Sequence, residues 1–304
     1  MTASAPRVFV PPHRPPAPDP QVRALAALLS GRRVCVLTGA GCSTESGIPD
    51  YRSDRQRERV RQPIQHQEFV RHAEVRARYW ARSLLGWPRF AAFQPNAAHR
   101  ALASLEAAGV VSAVLTQNVD RLHHKAGSRD VVELHGALER VRCLSCGAVL
   151  HRDVLQAQLE ALNPGFAEAF LPELLPDGDA ALPPEVEQTF RVPDCGRCGG
   201  GMLKPDVVFF GDNVPPNLVE EAFAKVEAAD ALLVAGSSLH VYSGYRFVVR
   251  AHERKLPIAI VNAGETRGDP LATVKLDALV TDVLPRIATV LVGDKAPGDL
   301  AAGP

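Results

Sequence analysis

The sequence predicts a doubly wound α/β protein that carries a small metal-binding module. Short apolar, β-branched runs recur along the chain and end in Gly, Ser, Asn, Gln, Asp or His. Amphipathic helical stretches separate several of these runs, and two Cys-x-x-Cys pairs flank a long insert. Strands buried on both faces read as continuous apolar runs, and their alternation with helices builds a parallel sheet. Such sheets bind ligands beyond the carboxyl ends of their strands, where the strand order reverses. Several polar strand ends gathered on one edge therefore mark a site.

Residues 1–20 are proline-rich, without the apolar core of a secretory signal or the amphipathic pattern of a transit peptide, and are expected to form a flexible arm. Gln21 to Ser30 has helical spacing and stops at Gly31. Val34 to Leu37 is the first buried strand. It runs into Gly39-Ala40-Gly41 and then Ser43 and Thr44, which suit a helix start whose N–H groups and dipole would hold a phosphate. Pro49 closes this segment, and the polar cluster Asp50-Tyr51-Arg52 follows. Residues 66 to 86 read as helices interrupted by Trp87-Pro88, and Asn96 to Ala108 as a helix stopped by Gly109. Further strands are expected at Val110–Thr116, Val131–Leu134, Val207–Phe210, Ala231–Ala235 and Ile258–Val261, with helices at Asn217–Ala229 and Tyr245–Lys255.

The chain has 304 residues, 46% hydrophobic and 22% charged, with formal net charge +0. That is an ordinary soluble composition with no global basic field to attract nucleic acid. The Arg-rich stretch 52–61 reads as a solvated helix face. No apolar run approaches the ~18–20 residues that span a bilayer, and a cytoplasmic location is expected. Four of the six cysteines form the pairs Cys143/Cys146 and Cys195/Cys198. In a reducing compartment two such turns point to one structural, tetrahedral Zn²⁺ rather than to disulfides. The segment between the pairs is longer than the ~15–20 residues of the common spacing, and its excess, about Leu150 to Arg191, is expected to be a helical insert.

Gly39 and Gly41 match only part of the Gly-x-Gly-x-x-Gly fingerprint. The third glycine would stand at position 44, which is Thr44, and no strand ending in an acidic residue follows about twenty residues on. The string TQNVD, Thr116 to Asp120, gathers amide donors and carboxylate acceptors at a strand end, as recognition of a carboxamide needs; the plainer reading is a capped turn with Asp120 as N-cap. His135 follows a buried strand, where an imidazole serves either as a general base near neutral pH or as a structural group. His123 and His124 are expected to be solvated at a polar helix start.

With GAGCSTESGIPDYRS, TQNVDRLHHKAGS, ELHG, the two Cys-x-x-Cys pairs, KPDVVFFGD, GSS and VNAG in this order, the chain resembles the sirtuins, NAD-dependent protein-lysine deacylases, over roughly residues 20–290. The segment PIQHQEFVRHAEVRARYWARSLLGWPRF is similar to the class II branch, with a mitochondrial animal member and bacterial relatives. The resemblance implies a Rossmann-like NAD-binding domain from residues 21–142 and 201–290, with a helical insertion at about 54–95. A zinc-binding module would occupy 143–200, flexible tails 1–20 and 291–304, and NAD the cleft between the two parts.

By the same resemblance, Gly39, Ala40, Gly41 and Glu45 hold the NAD phosphates and adjoining ribose, and Asp50, Tyr51 and Arg52 form a closing loop. Gln117 and Asn118 contact the nicotinamide ribose; Val119, through its backbone, and Asp120 bind the carboxamide. Gly236, Ser237, Ser238, Asn262, Ala263 and Gly264 hold the adenosine half, with Val280 near the adenine. His135 and Asn118 are the implied catalytic residues. Val208, Phe210 and Gly211 line an acyl-lysine tunnel and pair with an acylated peptide by strand addition, and Cys143, Cys146, Cys195 and Cys198 hold the zinc.

The implied reaction consumes NAD as a co-substrate. The acyl oxygen attacks the ribose, nicotinamide leaves, and His135 deprotonates a ribose hydroxyl on the way to O-acyl-ADP-ribose. The alternatives are protein mono-ADP-ribosylation, a non-catalytic NAD-sensing module, and a dehydrogenase with structural zinc. Tyr51 stands where many sirtuins have Phe, as is usual in class II, and the Tyr-x-x-Arg pair that marks preference for acidic acyl groups is not evident.

Overall fold

The computed structural model describes residues 14–49, 64–169 and 189–293. In chain order these form α1 (Asp19–Leu29), β1 (Val34–Thr38), α2 (His66–Arg71), α3 (Ala73–Ala91), α4 (Ala97–Ala107), β2 (Val111–Thr116) and the one-turn α5 (Leu122–Lys125). Next come β3 (Val131–Glu133), β4 (Gly136–Cys143), β5 (Val149–His151), α6 (Arg152–Leu162), α7 (Phe166–Ala169) and β6 (Leu203–Val207). The chain continues with α8 (Pro216–Ala228), β7 (Ala231–Ala235), α9 (Tyr242–Glu253), β8 (Ile258–Val261), β9 (Val274–Leu276) and α10 (Val280–Val292). Of the described residues, 14–46, 94–134 and 214–293 form one compact unit, and 47–49, 64–93, 135–169 and 189–213 the other.

In the larger unit six parallel strands run in the order β3-β2-β1-β7-β8-β9. Counted within this sheet the order is 3-2-1-4-5-6, the Rossmann arrangement, and it reverses between β1 and β7. Thr38 pairs with Thr116 on one side and Ala235 on the other, which sets the loops beginning at Gly39, Gln117 and Gly236 side by side. Strands β1, β7 and β8 are buried throughout. Their alternate side chains feed two cores: Val36, Leu233 and Ala259 pack with Leu25, Leu102 and Leu284 of α1, α4 and α10. Leu37, Val234 and Ile260 pack with Val226 and Phe247 of α8 and α9. Helices on both faces explain the continuous apolar runs.

Two elements of this unit go beyond the sequence reading. β9 is only three residues long, too short to show a period, and α10 contains Pro285, which breaks up an otherwise helical pattern. The expected helix start after Gly39 also differs. Ala40–Cys42 and Thr44–Ser46 are two 3₁₀ turns rather than an α-helix, so no helix dipole builds up there.

The smaller unit is an antiparallel sheet, β5-β4-β6, packed on helices. The expected fourth parallel strand is thereby corrected: the run is Leu203–Val207, it pairs with β4, and it ends where 208–210 had been placed in the strand. Trp80, Leu84, Leu155 and Leu159 fill the core, and Trp80 Nε1 donates to the Leu203 carbonyl at 3.1 Å. The Arg152 guanidinium carbon lies 5.4 Å from the ring centroids of both Trp80 and Trp87, a buried cation–π arrangement.

Trp87-Pro88 does not interrupt the helix, since α3 continues through Pro88 to Ala91. Proline deprives the carbonyl four residues back of its donor. That carbonyl is Leu84 O, and it accepts instead from Gln156 Nε2 of α6 at 3.0 Å. Among the described residues no helix is long and apolar enough to cross a membrane.

Candidate functional site

The loop after β1 is built on backbone contact. Gly41 N–H donates to the Gly236 carbonyl at 2.9 Å. A Cβ on Gly41 would lie 2.9 Å from that oxygen, and one on Gly39 2.8 Å from Ser237 Cβ. Gly236 has φ +65 and would set a Cβ 2.4 Å from Cys42 N. The glycines therefore let two strand-end loops dock directly, in addition to keeping the loop free of side chains.

A buried polar network lies beneath this loop. Ser43 Oγ donates to Asp120 Oδ2 at 2.6 Å and accepts from Asn118 Nδ2 at 3.0 Å. Asn118 Nδ2 also reaches the Gly39 carbonyl at 3.1 Å. Asp120 Oδ1 accepts from Leu122 N–H at 2.9 Å, so one oxygen caps the turn while the other faces Ser43. Burial pushes the Asp120 carboxyl above its usual range, against the opposing hydrogen bonds from Ser43 and Leu122.

His123 is not solvated as expected; it is 2% exposed. Its Nε2 lies 2.9 Å from Thr38 Oγ1, and its ring is 4.8 Å from that of His99. Burial, then the neighbouring His99 and His124, hold its pKa well below the usual value. The one-turn α5 turns His123 under the end of β1, whereas half-buried His124 faces Glu133 at 3.6 Å. Ser43, Thr38 and His99 were not singled out from the sequence as site residues. The nearest signal was the hydroxyl directly after the glycine loop.

The remaining residues implied for the adenosine half line the next strand ends. Ser237 Oγ donates to Gln117 Oε1 at 2.8 Å. Asn262 Nδ2 donates to the carbonyls of Ala263 and Gly264 at 3.1 and 3.2 Å, rigidifying its own turn. Asp277 was missed; it accepts from Gly264 N–H at 2.7 Å, which holds its carboxyl below the usual range. Val280 is buried at the start of α10. Glu45 is exposed, and its carboxyl is raised first by partial desolvation and then by Asp282. Asp50, Tyr51 and Arg52 lie outside the described residues, as do 54–63 of the helical insertion and 170–188 of the insert between the cysteine pairs.

In the smaller unit His135 is half-buried, and its carbonyl accepts from Val208 N–H at 2.9 Å. Gly136 follows with φ +78, and a Cβ there would fall 1.9 Å from the Asp206 carbonyl oxygen. Phe210 is 46% exposed; its carbonyl accepts from His66 N–H at 2.9 Å, and a parallel bridge joins it to Gln65. Gly211 has φ +77. Buried Lys204 sets its ammonium 4.4 Å from the Phe209 ring centroid and 3.8 Å from Asp212.

The four paired cysteines converge with their sulfurs within 4.8 Å of one another; Cys143 to Cys198 and Cys146 to Cys195 are 3.8 Å apart. A Cβ on Gly201 would meet Cys143 Sγ at 2.3 Å, so only glycine closes the second turn over the sulfurs. The Cys146 N–H heads the contacts that pull the Cys143 thiol down to about 6, and a ready thiolate in a four-sulfur cage suits a tetrahedral divalent ion.

A family model described as the Sir2 family matches residues 39–243. The chain belongs to the Sir2 family. It is 53% identical over 285 residues to the Bos taurus NAD-dependent protein lipoamidase sirtuin-4, mitochondrial, covering 92% of this chain and 89% of that protein. It is 51% identical to a Mycobacterium avium NAD-dependent protein deacetylase 1, covering 88% of this chain and 94% of that protein. A solved Sir2–p53 peptide–NAD+ complex is 31% identical with a TM-score of 0.69, covering 88% of this chain and 96% of that one. The sirtuin resemblance and the Rossmann-like fold expected from the motifs are thus both found. The mitochondrial name of the cattle relative overturns the cytoplasmic expectation. Composition and the lack of long apolar runs do not differ between α/β proteins of the two compartments, so they could not make that distinction.

Proposed function

We propose that the chain is an NAD-dependent protein-lysine deacylase that acts on acylated lysines in proteins or peptides. The observation that carries this is the union of a Rossmann switch point with the buried Ser43–Asp120–Asn118 network, in a chain that belongs to the Sir2 family. The glycine loop, free of side chains at Gly39 and Gly41, supports a cradle for the pyrophosphate, with Ala40 and Glu45 beside it. Gln117 and Asn118 stand at the end of β2 for the nicotinamide ribose. Val119 and Asp120 are assigned to the carboxamide, whose donor and acceptor need complementary groups. Ser237, Ser238, Asn262, Ala263, Gly264 and Val280, with Gly236, are assigned to the adenosine half.

When bound, NAD supplies the electrophilic ribose carbon, releases nicotinamide and receives the acyl group. The protein's part is to orient and to move one proton. Half-buried His135 is assigned as the general base that takes a ribose hydroxyl proton, and Asn118 is assigned to orienting the ribose. β6 is an edge strand of its sheet, and Val208, Phe210 and Gly211, assigned to main-chain pairing with a peptide, follow directly on its end. Exposed, apolar Phe210 favours a neutral acyl-lysine over a free ammonium, which loses solvation on apolar contact. Zn²⁺ in the Cys143, Cys146, Cys195 and Cys198 cage is structural, since four protein sulfurs leave no open position.

The experiment is incubation with NAD and lysine peptides bearing acyl groups from acetyl to lipoyl, the last prompted by the lipoamidase relative. Mass spectrometry should find free nicotinamide and acyl-ADP-ribose in equal amounts. ADP-ribosylated protein without acyl transfer would favour the transferase reading, and reduction of NAD to NADH would refute both.

A further inference from the structure

Among the described residues a second group of metal-competent side chains converges besides the cysteine cage. Cys42, His99 and His123 are all fully or nearly fully buried, and their ligand atoms lie within 4.8 Å of one another. The hydrogen bonds determine which nitrogens are bare. Thr38 Oγ1 gives its proton to Thr116 Oγ1 at 2.9 Å, so at His123 it accepts from Nε2–H and leaves Nδ1 with a lone pair. That buried Nδ1 has no hydrogen-bond partner. At His99 the Nδ1 lies 3.3 Å from the Asn96 backbone N–H and 2.9 Å from Asn96 Oδ1; the tautomer that donates along the shorter contact carries its proton on Nδ1 and bares Nε2 for a ligand. Ser43 Oγ stands 3.5 Å from that Nε2 but gives its proton to Asp120 at 2.6 Å.

Two neutral imidazoles thus direct lone pairs inward while their other nitrogens are held by Thr38 and Asn96, as outer-shell partners hold the histidines of metal sites. Asn96 also donates to the Cys42 carbonyl at 2.8 Å, fixing the third ligand relative to the second. A tetrahedral Zn²⁺ with bonds of about 2.0–2.3 Å needs donors roughly 3.3–3.8 Å apart, a spacing that falls inside the 4.8 Å within which all three ligand atoms lie.

We propose that Cys42, His99 and His123 form a second, exchangeable divalent-metal site of Cys–His₂ type, which takes soft ions such as Zn²⁺ and antagonises NAD binding. On binding, the S–H bond of Cys42 breaks, its proton goes to solvent and an S–metal bond forms. The S–metal bond ties Cys42 to the histidine ligands and constrains the adjoining Ser43, loosening the Ser43 bonds to Asp120 and Asn118. The antagonism, unlike the metal site, rests on the assignment of those residues to NAD.

The test titrates Co²⁺ into the full chain with its cysteine cage already filled by zinc. Outside the cage the only thiols are Cys35 and Cys42. One further equivalent should bind with tetrahedral visible bands and a thiolate-to-cobalt charge-transfer band, and Cys42→Val should abolish both while keeping the first zinc. Uptake that stops at one metal, a second equivalent without the thiolate band, or its persistence in Cys42→Val would each overturn the site. The count on the unmodified chain decides even where the variant fails to fold. Calorimetry should show NAD affinity weakened about tenfold once the second site is filled, within the usual range of coupling. An unchanged affinity overturns the antagonism, whereas a metal-free chain that binds no NAD at all refutes the NAD assignment and leaves the metal count standing.

Discussion

Ser43 Oγ lies 2.6 Å from Asp120 Oδ2 and accepts from Asn118 Nδ2, so one hydroxyl joins the loop after β1 to the loop after β2. A hydrogen bond to a charged group contributes about 1.5–3 kcal/mol, and a buried partner left alone is costly. Ser43→Ala should therefore raise the KM for NAD by roughly tenfold or more, with the sheet intact. Initial rates against NAD concentration test this, and an unchanged KM would remove Ser43 from the site.

His135→Ala should lower the rate of nicotinamide release with acyl-peptide by about 10²–10⁴-fold, the usual range for a lost general base. Zinc content and thermal midpoint should stay unchanged. Full activity in that variant would refute the assigned base.

Gly136→Ala should destabilise the protein by about 3 kcal/mol or more, since it combines left-handed strain with a hard backbone clash. The added carbon would sit 1.9 Å from the Asp206 carbonyl oxygen, across the β4–β6 pairing. A wild-type urea midpoint would contradict the geometry.

His99 is lowered to about 4, mainly by burial and secondarily by Arg100. Above pH 6.5 it is neutral in both folded and unfolded chains and affects stability in neither direction. Below 6.5 the unfolded chain takes up a proton that native His99 refuses, so stability falls as pH drops, until native His99 protonates near pH 4. The full loss is about 3 kcal/mol. In His99→Gln the acid limb of urea midpoint against pH should be shallower over that window; an unchanged limb would assign the slope elsewhere.

Cys143→Ala should lose the zinc and reduce solubility, because metal binding at such a cage is folding free energy. Metal analysis with light scattering tests this. A soluble, fully active, metal-free variant would show the cage to be dispensable.

The parallel sheet was legible because burial on both faces leaves an unmistakable apolar run, as at Ala231–Ala235 and Ile258–Val261. The cysteine cage was legible from local spacing alone. His123 was not, because its burial depends on β1 and α4, which lie far away in sequence, and the HH dipeptide looks polar. The strand ending at Val207 was misassigned for a related reason, as an apolar run shows its length but not its pairing partner. Pro88 misled because its cost is offset by a glutamine some seventy residues away.

That glutamine has a mechanical consequence. Gln156 can satisfy Leu84 O only where α6 meets α3 at one particular height, so the bond acts as a key that sets the longitudinal position of one helix against the other. A one-turn slip of about 5.4 Å would leave a carbonyl stranded in an apolar core. Pro88→Ala restores the native donor within the helix, which frees Gln156 and removes the notch. Neighbouring apolar contacts would tolerate sliding far better than this single polar pair does.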